Sequence, residues 1–106
     1  MSEYSIDVQE KQCRVALEGD LTASVAPKLQ ACLKRAVEDG VLEIQFDLSR
    51  TTMLDSSGIG LLIATHNTVR RREGKIVVGN VSPGIYQLLH SMRLVTRLNV
   101  SDPRPT

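Results

Sequence analysis

Two apolar rhythms alternate along this chain, and their order constrains the fold more than any one residue does. Cys13, Val15 and Leu17 alternate with Arg14 and Glu18, the period of a half-buried strand. Val25, Leu29, Cys32, Leu33, Ala36 and Val37 then recur at helical spacing, with Lys28, Lys34, Arg35 and Glu38 on the other side. The strand period returns over Val41–Leu48, the helical one over Ile59–Arg72, and the dense β-branched run Lys75–Gly79 reads as a central strand. Ile85, Leu88 and Leu89 mark a short third helix, and Leu94–Val100 reads as a last short strand. Ser5–Val8 alternates weakly ahead of the polar turn Glu10-Lys11-Gln12, so the first two strands are expected to form a hairpin.

The order β-β-α-β-α-β-α-β predicts an α/β domain. Strands joined through helices imply a mixed, mostly parallel sheet of about five strands with right-handed crossovers. Helices are expected mainly on one face, because the two-strand opening argues against a doubly wound unit. Punctuation agrees with this order. Ser24 is expected to cap the first helix with Pro27 inside its first turn, and Asp39-Gly40 stops it. Ser82 caps and Pro83 opens the third helix. Residues 1–100 are expected to form one domain and the polar, proline-bearing 101–106 a disordered tail.

Composition excludes several functions. Of 106 residues, 42% are hydrophobic and 24% charged, and the net charge of +1 offers no basic field to draw nucleic acid. With no Trp and one Phe, base stacking lacks its platform. The N-terminus has no basic or apolar signal region, and no apolar run approaches the ~18 residues of a membrane span. A cytoplasmic protein without direct membrane insertion is therefore expected, and a monomer from so polar a surface. Cys13 and Cys32 lack CxxC spacing and are expected to be buried small hydrophobes. The two histidines are expected on helix surfaces or half-buried. No cluster has metal-ligand spacing, and no cofactor is expected.

The chemistry-bearing stretch is Asp55-Ser56-Ser57-Gly58-Ile59-Gly60, where a loop becomes a helix. The first turn of a helix leaves N–H groups unpaired, and the macrodipole makes the site tolerant of negative charge. A serine nucleophile would need a base. His66 lies ten residues on, about 15 Å along the same helix, and no GxSxG elbow is present. Gly58-Ile59-Gly60 lacks the third glycine of a dinucleotide fingerprint and the Gly-Lys-Ser/Thr of a P-loop, so it reads as close packing with room for a partner's backbone. One residue of Asp55-Ser56-Ser57 suffices as a cap, which leaves a hydroxyl over. The stretch reads as a switch more readily than as an active site.

Around this stretch the chain resembles the STAS-domain anti-sigma factor antagonists (anti-anti-sigma factors) of bacterial partner-switching systems. The resemblance rests on Leu17-Glu18-Gly19-Asp20-Leu21, Ala26-Pro27-x-Leu29, Phe46-Asp47-Leu48-Ser49, and above all Met53-Leu54-Asp55-Ser56-Ser57-Gly58-Ile59-Gly60-Leu61-Leu62. Ile76-Val77-Val78, Val81-Ser82-Pro83 and Leu88-Leu89 complete it. It implies a non-enzymatic protein phosphorylated on Ser56 by a partner that is both anti-sigma factor and GHKL-type serine kinase. The unphosphorylated form would bind that partner and free its sigma factor or other target, and a PP2C-type phosphatase would reset the switch. The implied partner surface is Met53, Leu54, Asp55, Ser56, Ser57, Gly58 and Ile59, with Thr22 and Ser24 from the nearby β–α loop. Many relatives carry an acid where this chain has Thr22, and many end with a further C-terminal helix that this chain is expected to lack. The alternative within the same fold is a non-switching STAS subunit of a membrane-associated transport complex.

Overall fold

A computed structural model describes residues 3–103. Seven elements follow in the expected order: β1 (Tyr4–Gln9), β2 (Gln12–Leu17), α1 (Ala26–Glu38), β3 (Glu43–Asp47), α2 (Ser56–Arg70), β4 (Lys75–Gly79) and α3 (Pro83–Ser91). The strands form one sheet in the order β1-β2-β3-β4. β1 and β2 pair antiparallel, while β2, β3 and β4 run parallel.

Alternation puts the two faces of this sheet in different solvents. Cys13, Ile44 and Ile76 stand in one register row and Val15, Phe46 and Val78 in the next, and all six are buried. Leu29, Leu33 and Val37 of α1, Leu61, Leu62 and Val69 of α2, and Ile85 and Leu89 of α3 share that core. The intervening residues Gln12, Arg14, Gln45 and Lys75 are exposed or half-buried. The helices therefore cover one face, as the alternating apolar pattern requires.

Four details depart from the sequence reading. Leu94–Val100 is not a strand. It coils through Leu98 N–H donating to Leu94 O (2.9 Å) and Val100 N–H to Val95 O (2.9 Å), and only Val100 bridges β4, at Val78. Four strands thus form where about five were expected. Leu94 and Leu98 are both buried, and a spacing of four keeps two residues on one face in a helical turn as well as in a strand, so alternation alone misreads them. Second, Ser24 does not cap α1. Val25 holds the N-cap position without a side-chain bond, and the Ser24 hydroxyl pairs with Thr22 Oγ1 at 3.1 Å. Third, Cys32 is exposed on α1, with Tyr4 Oη 3.7 Å from its sulfur; only Cys13 is buried. Fourth, α2 begins at Ser56 rather than Ile59.

Ser82 caps α3 as expected, its Oγ accepting from Ile85 N at 3.2 Å. Beyond α3, Ser101 N–H still donates to Val78 O at 2.9 Å. Residues 104–106 of the expected tail lie outside the described residues.

Candidate functional site

Parallel strands deliver their following loops to the same edge of the sheet. Here those are the β2–α1 loop (18–25) and the β3–α2 loop (48–55), and they are stitched together along their length. Glu18 and Arg50 form an ion pair at 2.6 Å. Thr51 Oγ1 donates to Gly19 O at 2.7 Å. Asp20 Oδ1 accepts from Thr52 N (2.9 Å), Thr52 Oγ1 (2.9 Å) and Met53 N (3.0 Å). Leu21 bridges Leu54, with Leu21 N–H donating to Met53 O (3.3 Å) and Asp55 N–H to Leu21 O (3.4 Å).

Asp55 ends this seam and starts α2. Its Oδ1 accepts from Gly58 N at 2.9 Å, an N-cap bond, and its Oδ2 accepts from Ala23 N across the seam at 3.0 Å. One carboxylate therefore both caps the helix and clamps the neighbouring loop. The Gly58 amide bond foremost, with those from Ala23 and Ser57, holds the Asp55 carboxyl below the usual carboxylate range. Asp20 is likewise lowered, first by the Thr52 amide, then by the Thr52 hydroxyl and the Met53 amide. Both stay ionised at neutral pH, so the seam is held by charge-assisted bonds.

Gly58 lets the helix come this close. A Cβ built on it would overlap the Leu21 carbonyl oxygen and stand 3.1 Å from Leu21 Cγ. Gly60, two residues on, has nothing within 4 Å of such an atom. Of the two glycines in Gly58-Ile59-Gly60, only the first is demanded by packing, and what it packs against is a loop carbonyl.

The sequence-predicted residues divide by exposure. Ser56 and Ser24 are exposed, Asp55, Ser57 and Thr22 are half-buried, and Met53 is 52% exposed, unusual for a large apolar side chain beside a polar cap. Leu54 and Gly58 are buried and Ile59 packs against the core, so these three support the surface rather than form it. Ser56 occupies the first helical position, not the loop, with its side chain in solvent. Asp20, Thr51 and Thr52 were not among the predicted site residues; their signal lay in the Glu18-Gly19-Asp20 turn, whose partner loop a linear sequence does not reveal. His66 is buried ten residues along α2, which leaves Ser56 without a base from that side chain. Among the described residues no helix is long and apolar enough to cross a membrane.

Comparison with known proteins places this geometry. Residues 4–99 match the family model described as Mlab, STAS domain. The anti-sigma-B factor antagonist of Staphylococcus aureus is 26% identical over 94 residues, covering 89% of this chain and 87% of that protein. The Bacillus cell fate determinant SpoIIAA in its phosphorylated form superposes with a TM-score of 0.77 at 20% identity, over 93% of this chain and 91% of that one. A sulfate transporter family protein from Wolinella succinogenes superposes with a TM-score of 0.75 at 18% identity, over 89% of this chain and 79% of that one. With the family model spanning the hairpin, the stitched loops and all three helices, the chain belongs to the STAS domain family.

Proposed function

We propose that this protein is a cytoplasmic anti-sigma factor antagonist, a binding protein rather than an enzyme, switched by phosphorylation of Ser56. Its partner is an anti-sigma factor that is also a GHKL-type serine kinase, and a PP2C-type phosphatase reverses the mark. Nucleic acid is not a partner. The observation that carries the reading is an exposed serine at the first position of α2, directly after the Asp55 that already fills the helix cap and three residues after exposed Met53. The similarity to antagonists such as that of Staphylococcus aureus supports it.

The mechanism is electrostatic and local. Docking on Met53, Ser24 and the Asp55-Ser56-Ser57 edge would desolvate the Ser56 hydroxyl. A phosphate adds about −1.5 to −2 charges there. Asp55 already engages the Gly58 and Ala23 amides, so the new anion competes with a fixed carboxylate for the helix terminus. Burying it at an interface without a cation costs a few kcal/mol, about two decades of affinity. The fold itself need not move.

Incubation with ATP and the candidate kinase, read by intact mass, tests the reading. A gain of one phosphate is expected, lost in Ser56→Ala and largely kept in Ser57→Ala. Phosphate mapped to Ser57 alone, or none at all, contradicts it. A second reading, a non-switching subunit of a membrane-associated transport complex, is favoured by the likeness to the Wolinella succinogenes protein. It predicts no phosphate and co-purification with membrane proteins.

A further inference from the structure

The two edges of the sheet are treated differently. The β4 edge is closed by the chain's own C-terminal segment: Val78 N–H donates to Asn99 O (3.1 Å), Ser101 N–H to Val78 O (2.9 Å), and Asn99 Nδ2 to Ile76 O (2.8 Å). β1 is the opposite edge and has a strand on one side only. Its register with β2 is unbroken from Tyr4↔Leu17 to Gln9↔Gln12, without a bulge. It contains no proline and no lysine, the usual devices that spoil an edge.

Which backbone groups face outward follows from one bond. Glu18 N–H donates to Glu3 O at 3.0 Å, so Glu3 and Glu18 form a hydrogen-bonded pair. Antiparallel pairs alternate, so Ser5, Asp7 and Gln9 bond inward to β2, and the N–H and C=O groups of Tyr4, Ile6 and Val8 face the free edge. Among the described residues no backbone bond reaches them. The same three residues carry the apolar side chains of the strand. Tyr4 and Ile6 pack against the core, and Val8 is 49% exposed.

We infer that β1 is a docking edge for β1 of a second copy of this chain, joining two four-stranded sheets into one across a two-fold axis at Ile6. The strand is complementary to itself in one antiparallel register: Tyr4 opposite the second copy's Val8, Ile6 opposite Ile6, and Val8 opposite Tyr4. That register puts outward groups opposite outward groups at all three pairs, with two hydrogen bonds at each. It sets apolar side chains against apolar ones and gives the exposed Val8 an aromatic cover. A slip of one residue places inward-bonded residues opposite outward ones and loses the ladder. Charge agrees. Asp7 falls opposite Ser5 rather than Asp7, and its own neighbour on β2 is Arg14. The expectation of a monomer rests on polar side chains, whereas this inference rests on six backbone groups, which no composition reports.

An interface of one six-residue strand falls below the size of stable complexes, so the dimer is weak and concentration-dependent. Sedimentation of the full chain should show the mass rising from one chain toward two as its concentration is raised from about 10 μM to about 1 mM, the weak end of the affinity scale. Amide hydrogen exchange should slow with concentration at Tyr4, Ile6 and Val8, while Ser5 and Asp7 stay protected throughout. Val8→Lys should hold the protein monomeric with an unchanged thermal midpoint. A monomer at every concentration with fast exchange at Tyr4, Ile6 and Val8, or a dimer undisturbed by Val8→Lys, overturns the inference. A monomer whose Val8→Lys variant loses a protein partner would assign the edge to that partner and overturn it as well.

Discussion

Gly58→Ala and Gly60→Ala are the same chemical change, two residues apart in one helix, and they should act in opposite directions. In the unfolded chain each removes the same backbone freedom, so that contribution cancels between them. In the folded chain both gain the helix preference of alanine over glycine, up to about 1 kcal/mol. Gly60→Ala meets nothing within 4 Å and should keep that gain. Gly58→Ala drives its methyl into the Leu21 carbonyl, which is backbone and cannot swing aside. The start of α2 must back away from the β2–α1 loop, loosening Asp55 N–H to Leu21 O and the Asp55–Ala23 clamp. Overpacking of this kind costs about 1–3 kcal/mol, beyond the propensity gain. The two variants should therefore differ by about 1–4 kcal/mol. Near this chain length 1 kcal/mol corresponds to about 4 °C, so their thermal midpoints should lie about 4–16 °C apart, with wild type between them. Differential scanning calorimetry with parallel urea unfolding measures this. Equal midpoints, or Gly58→Ala the more stable, would refute the claim that Gly58 is there for close approach.

Two further outcomes follow from the site and the core. Ser56→Asp should weaken binding of the kinase partner in a calorimetric titration and leave the thermal midpoint near wild type, since the side chain is exposed; a large loss of stability would mean that Ser56 is chiefly structural. His66 is buried with neither ring nitrogen hydrogen-bonded, and burial first, then Arg70 and Arg97, pushes its pKa below the ordinary 6.5. The unfolded chain then binds the proton more readily, so stability is complete above about 6.5 and falls as pH drops through the lowered folded value. The urea midpoint of wild type should drop between about pH 7.5 and pH 5 more steeply than that of His66→Leu, and parallel profiles would contradict this.

How legible the fold was depended on whether the deciding interaction was local. β2, β3, β4 and the body of each helix show in their own spacing, because burial of one face writes a period into the sequence. The start of α2 does not, since Ser56, Ser57 and Gly58 contribute no apolar side chain and the period begins only with Ile59. The missing cap at Ser24 is a backbone matter. Thr22 O takes the amides of both Val25 and Ala26 at 2.9 Å, a turn that leaves Ser24 turned toward Thr22. The candidate site was visible as Asp55-Ser56-Ser57-Gly58, but its foundation was not. Asp20 holds Thr52 and Met53 from 32 and 33 residues away. Such a partner is chosen by the parallel pairing of β2 and β3, which no window around Asp20 contains.

That foundation bears on how a modification at Ser56 would act. A phosphate at a free helix N-terminus gains from unpaired amides and stabilises the fold that carries it. Here Asp55 has taken the Gly58 amide and reached across to Ala23, so a phosphate would meet a cap position already filled by a carboxylate. The added charge would then gain less within the domain than at an uncapped terminus, and would sit beside a carboxylate held ionised. Under the proposed switch its free energy would be expressed mainly where the surface is covered, as lost affinity for a partner seated on Met53 and Ser56, rather than as a change of shape. On that reading Asp55 is the residue that separates the two effects, because its carboxylate already holds the cap and the clamp that a phosphate one position later would otherwise compete to make.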